Sequence, residues 1–323
     1  MRFERGEVFL LILLAITAVL GYAIASVKLI QIRYSDFLIN IALAAMFLLV
    51  GQFYRTFRVH QPIACATTAL AIFALSGQIM RSFNYVLLPY QFEAIDAALA
   101  DFDALFGFVW ANYARMMADY PDLVDFLRLV YRSSYIQIVA LIFLLGLVGR
   151  SDAIVKFSLA NIVGGLVTIL LWFLFPSSTP VAFQPLPAET AGVLNLFLNA
   201  EYGQGLVLLG QRGLAILNPS ELGGIVGFPS FHTIMAIITV RYASAVPYCF
   251  APVAIWNVFM LPATLLHGAH NLADIFGGLV VGLLSIVIAG KIADRRKARR
   301  DQARLAAHGA CRTAGAGTAA ALS

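Results

Sequence analysis

The sequence predicts an all-α membrane protein, a polytopic bundle of about eight transmembrane helices. Two observations predict it. First, 61% of the 323 residues are hydrophobic and only 12% are charged, where a soluble domain carries roughly 25% charge. A water-soluble globule of this size would lack the polar residues to cover its surface. Second, the hydrophobicity falls into runs about 20 residues long, the length a helix needs to cross a bilayer core of about 30 Å. The runs show no two-residue alternation of the kind a membrane barrel requires.

In chain order the spans are expected at residues 8–30, 37–54, 61–80, 131–149, 154–175, 231–247, 250–267 and 271–290. The first has a second reading as a signal peptide. Arg2 and Arg5 precede its apolar run, and Ala23-Ile24-Ala25 resembles a cleavage site. The apolar stretch continues past that site, which favours a span. Three units follow: N-terminal transmembrane helices over 1–82, a membrane domain over 83–290, and a basic tail over 291–323.

Orientation follows from Lys and Arg. With the N-terminus inside, Arg2, Arg5, Arg55, Arg58, Arg150, Lys156, Arg241 and the basic tail fall inside, against Lys28, Arg33, Arg81, Arg115, Arg128, Arg132 and Arg212 outside, an excess of the sign the positive-inside rule asks for. The run from Lys291 to Arg304 carries much of the net charge of +5. It lacks interleaved aromatics, so it reads as an orienting flank and not as a nucleic-acid patch. From Gly309 onward the Ala/Gly/Thr composition predicts disorder. Cys65, Cys249 and Cys311 form no disulfide framework.

Two long segments are expected outside. In 82–130, Ile95, Leu99, Phe102 and Phe106 recur at helical spacing opposite Asp96, Asp101 and Asp103. This predicts an amphipathic helix in the interface with its Asp face solvated; a metal site is the alternative. Segment 176–228, rich in Pro and Gly with an apolar middle around Leu194 to Leu209, predicts a loop partly embedded over the bundle.

Three histidines carry the chemistry. His232 opens the sixth span within Pro229-Ser230-Phe231-His232, and His270 opens the eighth, four residues before Asp274; His267 lies just upstream. His232 and His270 are 38 residues apart (270 − 232). Two spans of about 17 residues, each covering about 26 Å, with a tight turn at Pro247 to Pro252, use nearly all of that length. The chain descends and returns, so both histidines reach one face. Asp274 at i+4 can meet His270 on the helix surface and fix its tautomer. A polar pair that merely joins helices is the competing reading. Pro229 suits a first helical turn, whose free N–H groups favour an anion, with Ser230 as a hydroxyl donor. The eighth span also starts outside, which aims a second helix N-terminus at the same place.

On these residues the chain resembles the type-2 phosphatidic acid phosphatase superfamily. Within it, the similarity is to the branch that includes inositol phosphorylceramide synthases. The resemblance rests on Phe228-Pro229-Ser230-Phe231-His232-Thr233 and on His270-x-x-x-Asp274 followed by Gly277-Gly278. Weaker agreement extends to Phe175-Pro176-x-x-x-Pro180, to Asp96 through Trp110 and to Gln137. It implies a six-helix catalytic core within 83–290 and an enzyme acting on a lipid phosphate without a metal or other cofactor. His270 is then the nucleophile that forms a phosphohistidine, Asp274 its activator, His232 the general acid, and Ser230 with nearby backbone N–H groups the phosphate site. The implied partners are a phospholipid or isoprenoid phosphate and the membrane, with no nucleic acid. The implied location is a bacterial inner membrane with the site facing outward. Two departures stand out. No Lys–Arg–Pro signature precedes Pro229, and Ala263 and Thr264 stand where the superfamily has Ser-Arg. Arg132 and Arg212 are the outer-face candidates for the missing phosphate-clamping cation.

Water or a hydroxyl can resolve such an intermediate, which gives either a phosphatase or a phosphotransferase, including a sphingolipid-type inositol phosphotransferase. Two other classes compete. His232, His270, Asp274 and His267 could form a zinc set, or the polar residues could belong to a transporter or a non-catalytic lipid-binding protein. No inverted repeat supports transport.

Overall fold

The computed structural model describes residues 3–219 and 223–295. Most of the basic run, the stretch from Gly309 and Cys311 lie outside the described residues.

The chain is a helical bundle. Helices α1 (Arg5–Val27), α2 (Leu38–Thr56) and α3 (Gln61–Val86) form the N-terminal unit. They are followed by two short helices, α4 (Asp96–Ala104) and α5 (Trp110–Ala118), and by the long α6 (Pro121–Leu147) and α7 (Ser151–Leu174). Short helices α8 (Ala188–Leu194) and α9 (Ala200–Arg212) lead to α10 (Phe231–Ala243), α11 (Phe250–Val258) and α12 (Met260–His267). The last helix, α13, is Leu272–Arg295. Two residues after α1, Gln31–Ile32 (β1), pair in parallel with Ile216–Leu217 (β2).

Among the described residues seven helical segments are long and apolar enough to cross a membrane: α1, α2 with its preceding turn, α3, α6, α7, α11 together with α12, and α13. The protein is an integral membrane protein of helical class. The expected sixth span is the exception. It is only 13 residues long, about 20 Å, because the chain turns at Ser244 and passes Tyr248 at positive φ before α11 begins. The fourth span starts ten residues earlier than hydropathy suggests, at Pro121, with proline in the first turn. Its extra turns bury Val124, Leu127 and Val130 against the α5 and α12 layer.

The packing explains the order of the layers. α3 contacts α1, α2, α6 and α7, so it joins the N-terminal unit to the rest. α10 packs on α6, α7 and α12. α13 presses on α10 through glycines: a Cβ at Gly278 would stand 2.8 Å from Thr233 Cβ. The outward faces of α1 and α2 remain apolar, as in Ile12, Val19, Ile39 and Leu49, because lipid is their solvent. Several polar groups inside the bundle are paired. Glu7 and Arg55, both almost fully buried, form an ion pair that Thr68 joins. The Lys28 ammonium ties the end of α1 to the end of α3 by donating to the carbonyls of Val86, Leu87 and Leu88. In the middle of the bundle Asn257 donates to Gln137 Oε1 at 2.6 Å and links α11 to α6.

Candidate active site

The two histidine segments meet at one end of the bundle. Ser230 is the N-cap of α10, and its Oγ accepts from Thr233 N at 3.4 Å. Pro229 therefore lies one residue outside the cap and not in the first turn. The expected helix-opening role passes to Ser230, whose side chain can accept an orphan N–H while proline cannot. The Ser230 backbone N–H donates to Asp274 O at 3.0 Å, so one hydrogen bond holds the two segments together. Gly277 and Gly278 make this approach possible. A Cβ at Gly278 would stand 2.7 Å from Ser230 O, and one at Gly277 2.5 Å from the Phe228 ring.

His270 and Asp274 form a buried pair. Nδ1 of His270 lies 2.9 Å from Asp274 Oδ2, which also accepts from Asn271 N at 2.9 Å. Asp274 is fully buried and His270 almost so. An ionised carboxylate at Nδ1 holds the proton there and leaves Nε2 with its lone pair. His270 and His232 both border one cavity of about 390 Å³. The His232 ring stacks on Tyr131, with centroids 4.1 Å apart and planes 20° apart, and meets Tyr135 edge-on. Ser230 is fully buried and caps the helix that carries His232.

The second helix N-terminus is not open to an anion as expected. Asp103, on α4, accepts from Leu272 N and Ala273 N, each at 3.0 Å. With Asn271 N bonded to Asp274, the first turn of α13 is satisfied by carboxylates of the chain itself. This also corrects part of the solvated Asp face of α4, of which Asp101 alone is exposed as expected. Asp103 is 3% exposed, and Asp96 accepts from Ser178 N at 2.8 Å. Burial pushes both carboxyls above their ordinary range, and the backbone N–H donors pull them back.

A buried strap, Ser177-Ser178-Thr179, ties these parts to one frame. Ser177 Oγ accepts from Phe228 N at 2.7 Å, and Thr179 Oγ1 donates to Ala269 O at 2.7 Å. Trp172 Nε1 donates to Ser177 O. The strap thus touches α4, the α10 turn and the His270 turn, which gives a physical reason for the pattern around Pro176 and Pro180. Trp110 contributes similarly by donating to Leu265 O at 2.9 Å.

The remaining candidates separate. His267 is fully buried and its Nε2 lies 3.0 Å from Val124 O; this contact binds α12 to α6. Arg132 lies over the Phe197 ring, and Arg212 is exposed in the last turn of α9. The arginine that borders the cavity is Arg81 of α3. Sequence reasoning missed it because it lies at the end of an unremarkable apolar span outside the motif region. The capping role of Asp103 and the stacking of Tyr131 were also missed. Their only signal is residue type, since contact partners 101 (232 − 131) to 170 residues away leave no trace in local spacing. Among the described residues no three His, Cys, Asp or Glu side chains converge as a metal set.

The fold and this end of the bundle define a helical membrane protein with a His–Asp pair and a second histidine on a shared cavity. A family model described as the PAP2 superfamily matches residues 97–288. The match spans more than half of the chain, and the protein belongs to that superfamily, whose members are usually phosphatases or phosphotransferases. No curated protein and no solved structure matches.

Proposed function

We propose that the protein is a lipid phosphate phosphatase or phosphotransferase that works through a phosphohistidine on His270. The observation that carries this reading is the His270–Asp274 bond of 2.9 Å on a cavity that His232 shares. His270 Nε2 attacks phosphorus while the bond from phosphorus to the lipid oxygen breaks. His232 gives its proton to that oxygen. Asp274 holds the Nδ1 proton and stabilises the charge that develops on the His270 ring. Water or an acceptor hydroxyl then attacks phosphorus, His232 takes the proton, and the phosphorus–nitrogen bond breaks. Ser230 sets the first turn of α10 so that its backbone N–H groups meet the phosphoryl oxygens, and Arg81 supplies positive charge at the cavity.

The Phe228-to-Thr233 and His270-x-x-x-Asp274 motifs support the branch that includes inositol phosphorylceramide synthases, which tolerates the missing Lys–Arg–Pro signature and Ala263 and Thr264 upstream of His270. With α10 counted as a crossing, the positive-inside pattern supports a site on the outer face; a bacterial inner membrane is what the family resemblance implies. The test uses purified protein in detergent with phospholipid and isoprenoid phosphates, with EDTA present, following released phosphate and new lipids together. The expected result is EDTA-resistant turnover that His270→Ala abolishes; the product separates phosphatase from transferase. Turnover that survives His270→Ala would overturn the nucleophile assignment.

A further inference from the structure

The two histidines are held in different ways. A carboxylate fixes His270, whereas the contacts that fix His232 are aromatic. Its ring lies face to face with Tyr131, with centroids 4.1 Å and planes 20° apart, and Tyr135 meets it edge-on at 6.4 Å. Tyr131 is itself held. The Phe197 ring, between α8 and α9, stacks on it at 5.8 Å, and the Arg132 guanidinium lies over Phe197 at 5.6 Å. A run of ring contacts thus leads from His232 at the cavity to an exposed cation.

Tyr131 also reaches the other histidine. Gly268, two residues before His270, packs against it: a Cβ there would stand 3.1 Å from Tyr131 Cε2 and 2.7 Å from His270 Cδ2. One ring therefore lies against both histidine-bearing segments and sets the gap between them. Its own position is fixed by α6. His267 Nε2 lies 3.0 Å from Val124 O, Arg128 Nη2 donates to Leu194 O at 2.9 Å, and Trp256 Nε1 donates to Ser133 Oγ at 2.9 Å. These contacts pin α6 before and after Tyr131, so the ring has a rigid support.

From this geometry we propose that Tyr131 is the positioning residue of the acid, doing for His232 what Asp274 does for His270. An imidazole on its one-carbon stem can swing about two torsions. A face-to-face partner restricts that swing and keeps one ring nitrogen aimed at the leaving oxygen. The negative face of an aromatic ring also attracts a cation, so the stack holds His232 most firmly while it carries the proton it gives up. The inference rests on the proposed phosphohistidine chemistry. In its first half-reaction the bond from His270 Nε2 to phosphorus forms and the phosphorus–oxygen bond breaks. The oxygen leaves with its electron pair and takes the His232 proton. An alkoxide needs that proton; a nitrophenolate departs without it.

The test measures single-turnover release of the leaving group from two substrates, lysophosphatidate and a nitrophenyl phosphate bearing an acyl chain of the same length. In Tyr131→Leu the lysophosphatidate rate is expected to fall about tenfold to a hundredfold while the aryl rate stays within about threefold. Tyr131→Phe keeps the aromatic face and is expected to restore the lysophosphatidate rate. Phe197→Leu, a change at a ring that is 41% exposed, is expected to show the same split at smaller size, so a folding failure of Tyr131→Leu leaves the question answerable. His232→Ala calibrates the split. With that split present, equal losses on both substrates, or none on either, in the Tyr131 and Phe197 leucine variants that fold would overturn the inference and leave the acid role of His232 standing. A His232→Ala variant without the split would remove the acid role and the inference together. Turnover of neither substrate by the wild type would remove the phosphohistidine reading, and the inference with it.

Discussion

Asp274 decides whether the site is catalytic or merely packed. Its Oδ2 accepts from both His270 and Asn271 N, so it sets a ring orientation and a tautomer together. Asp274→Asn keeps the volume but can offer an N–H to the ring, which favours the wrong tautomer. The expected outcome is a fall in kcat of about 10²–10⁴ with the thermal midpoint in detergent moved by only a few degrees. A variant retaining half of the wild-type kcat would show that the pair only joins helices. At this scale the sequence is informative in one direction. The i, i+4 spacing of His270 and Asp274 is enough to predict their contact, because the helix itself supplies the geometry. The stacking of Tyr131 on His232 is not predictable that way, since it depends on how α6 and α10 come together.

The elements that hold the site are short and irregular, and they are where local reading fails. The helical period of 95–106 places a helix correctly, yet the same period assigns its Asp face to solvent. The structure turns Asp103 onto the first turn of α13, where two N–H groups need an acceptor. Hydrophobic pattern records which face is apolar; it does not record that a polar face has found buried partners. Asp103→Ala should therefore cost about 2 kcal/mol in stability through the lost cap. It should also lower kcat more than it raises KM, because α13 carries Asp274 and follows His270 directly. Asp103→Asn, which keeps one acceptor, should recover part of both. Unchanged kinetics in the alanine variant, read beside the thermal midpoint, would make the cap purely structural.

The whole molecule places the histidines of the proposed site and one wall of their cavity in different parts of the chain. The family match begins at residue 97, while α3, which ends at Val86, forms one side of the cavity. Gly77 gives a direct handle on this. It borders the cavity, and a Cβ added there meets nothing within 4 Å. Gly77→Leu should raise KM for a long-chain lipid about tenfold or more without lowering stability, since leucine is the better helix former by up to about 1 kcal/mol. An unchanged KM would remove α3 from the site. The helical membrane class was fully legible in composition and run length, because the bilayer leaves few alternatives. The short α10 was less so, since hydropathy carries on through a turn that only packing defines. The central claim, a phosphoryl group carried by His270, is tested most directly by trapping. The protein is mixed with ³²P-labelled lysophosphatidate, quenched in alkali, digested, and the label is located. The account predicts acid-labile, alkali-stable label on the peptide containing His270 and none in His270→Ala; turnover without any such label, or label on another residue, would contradict it.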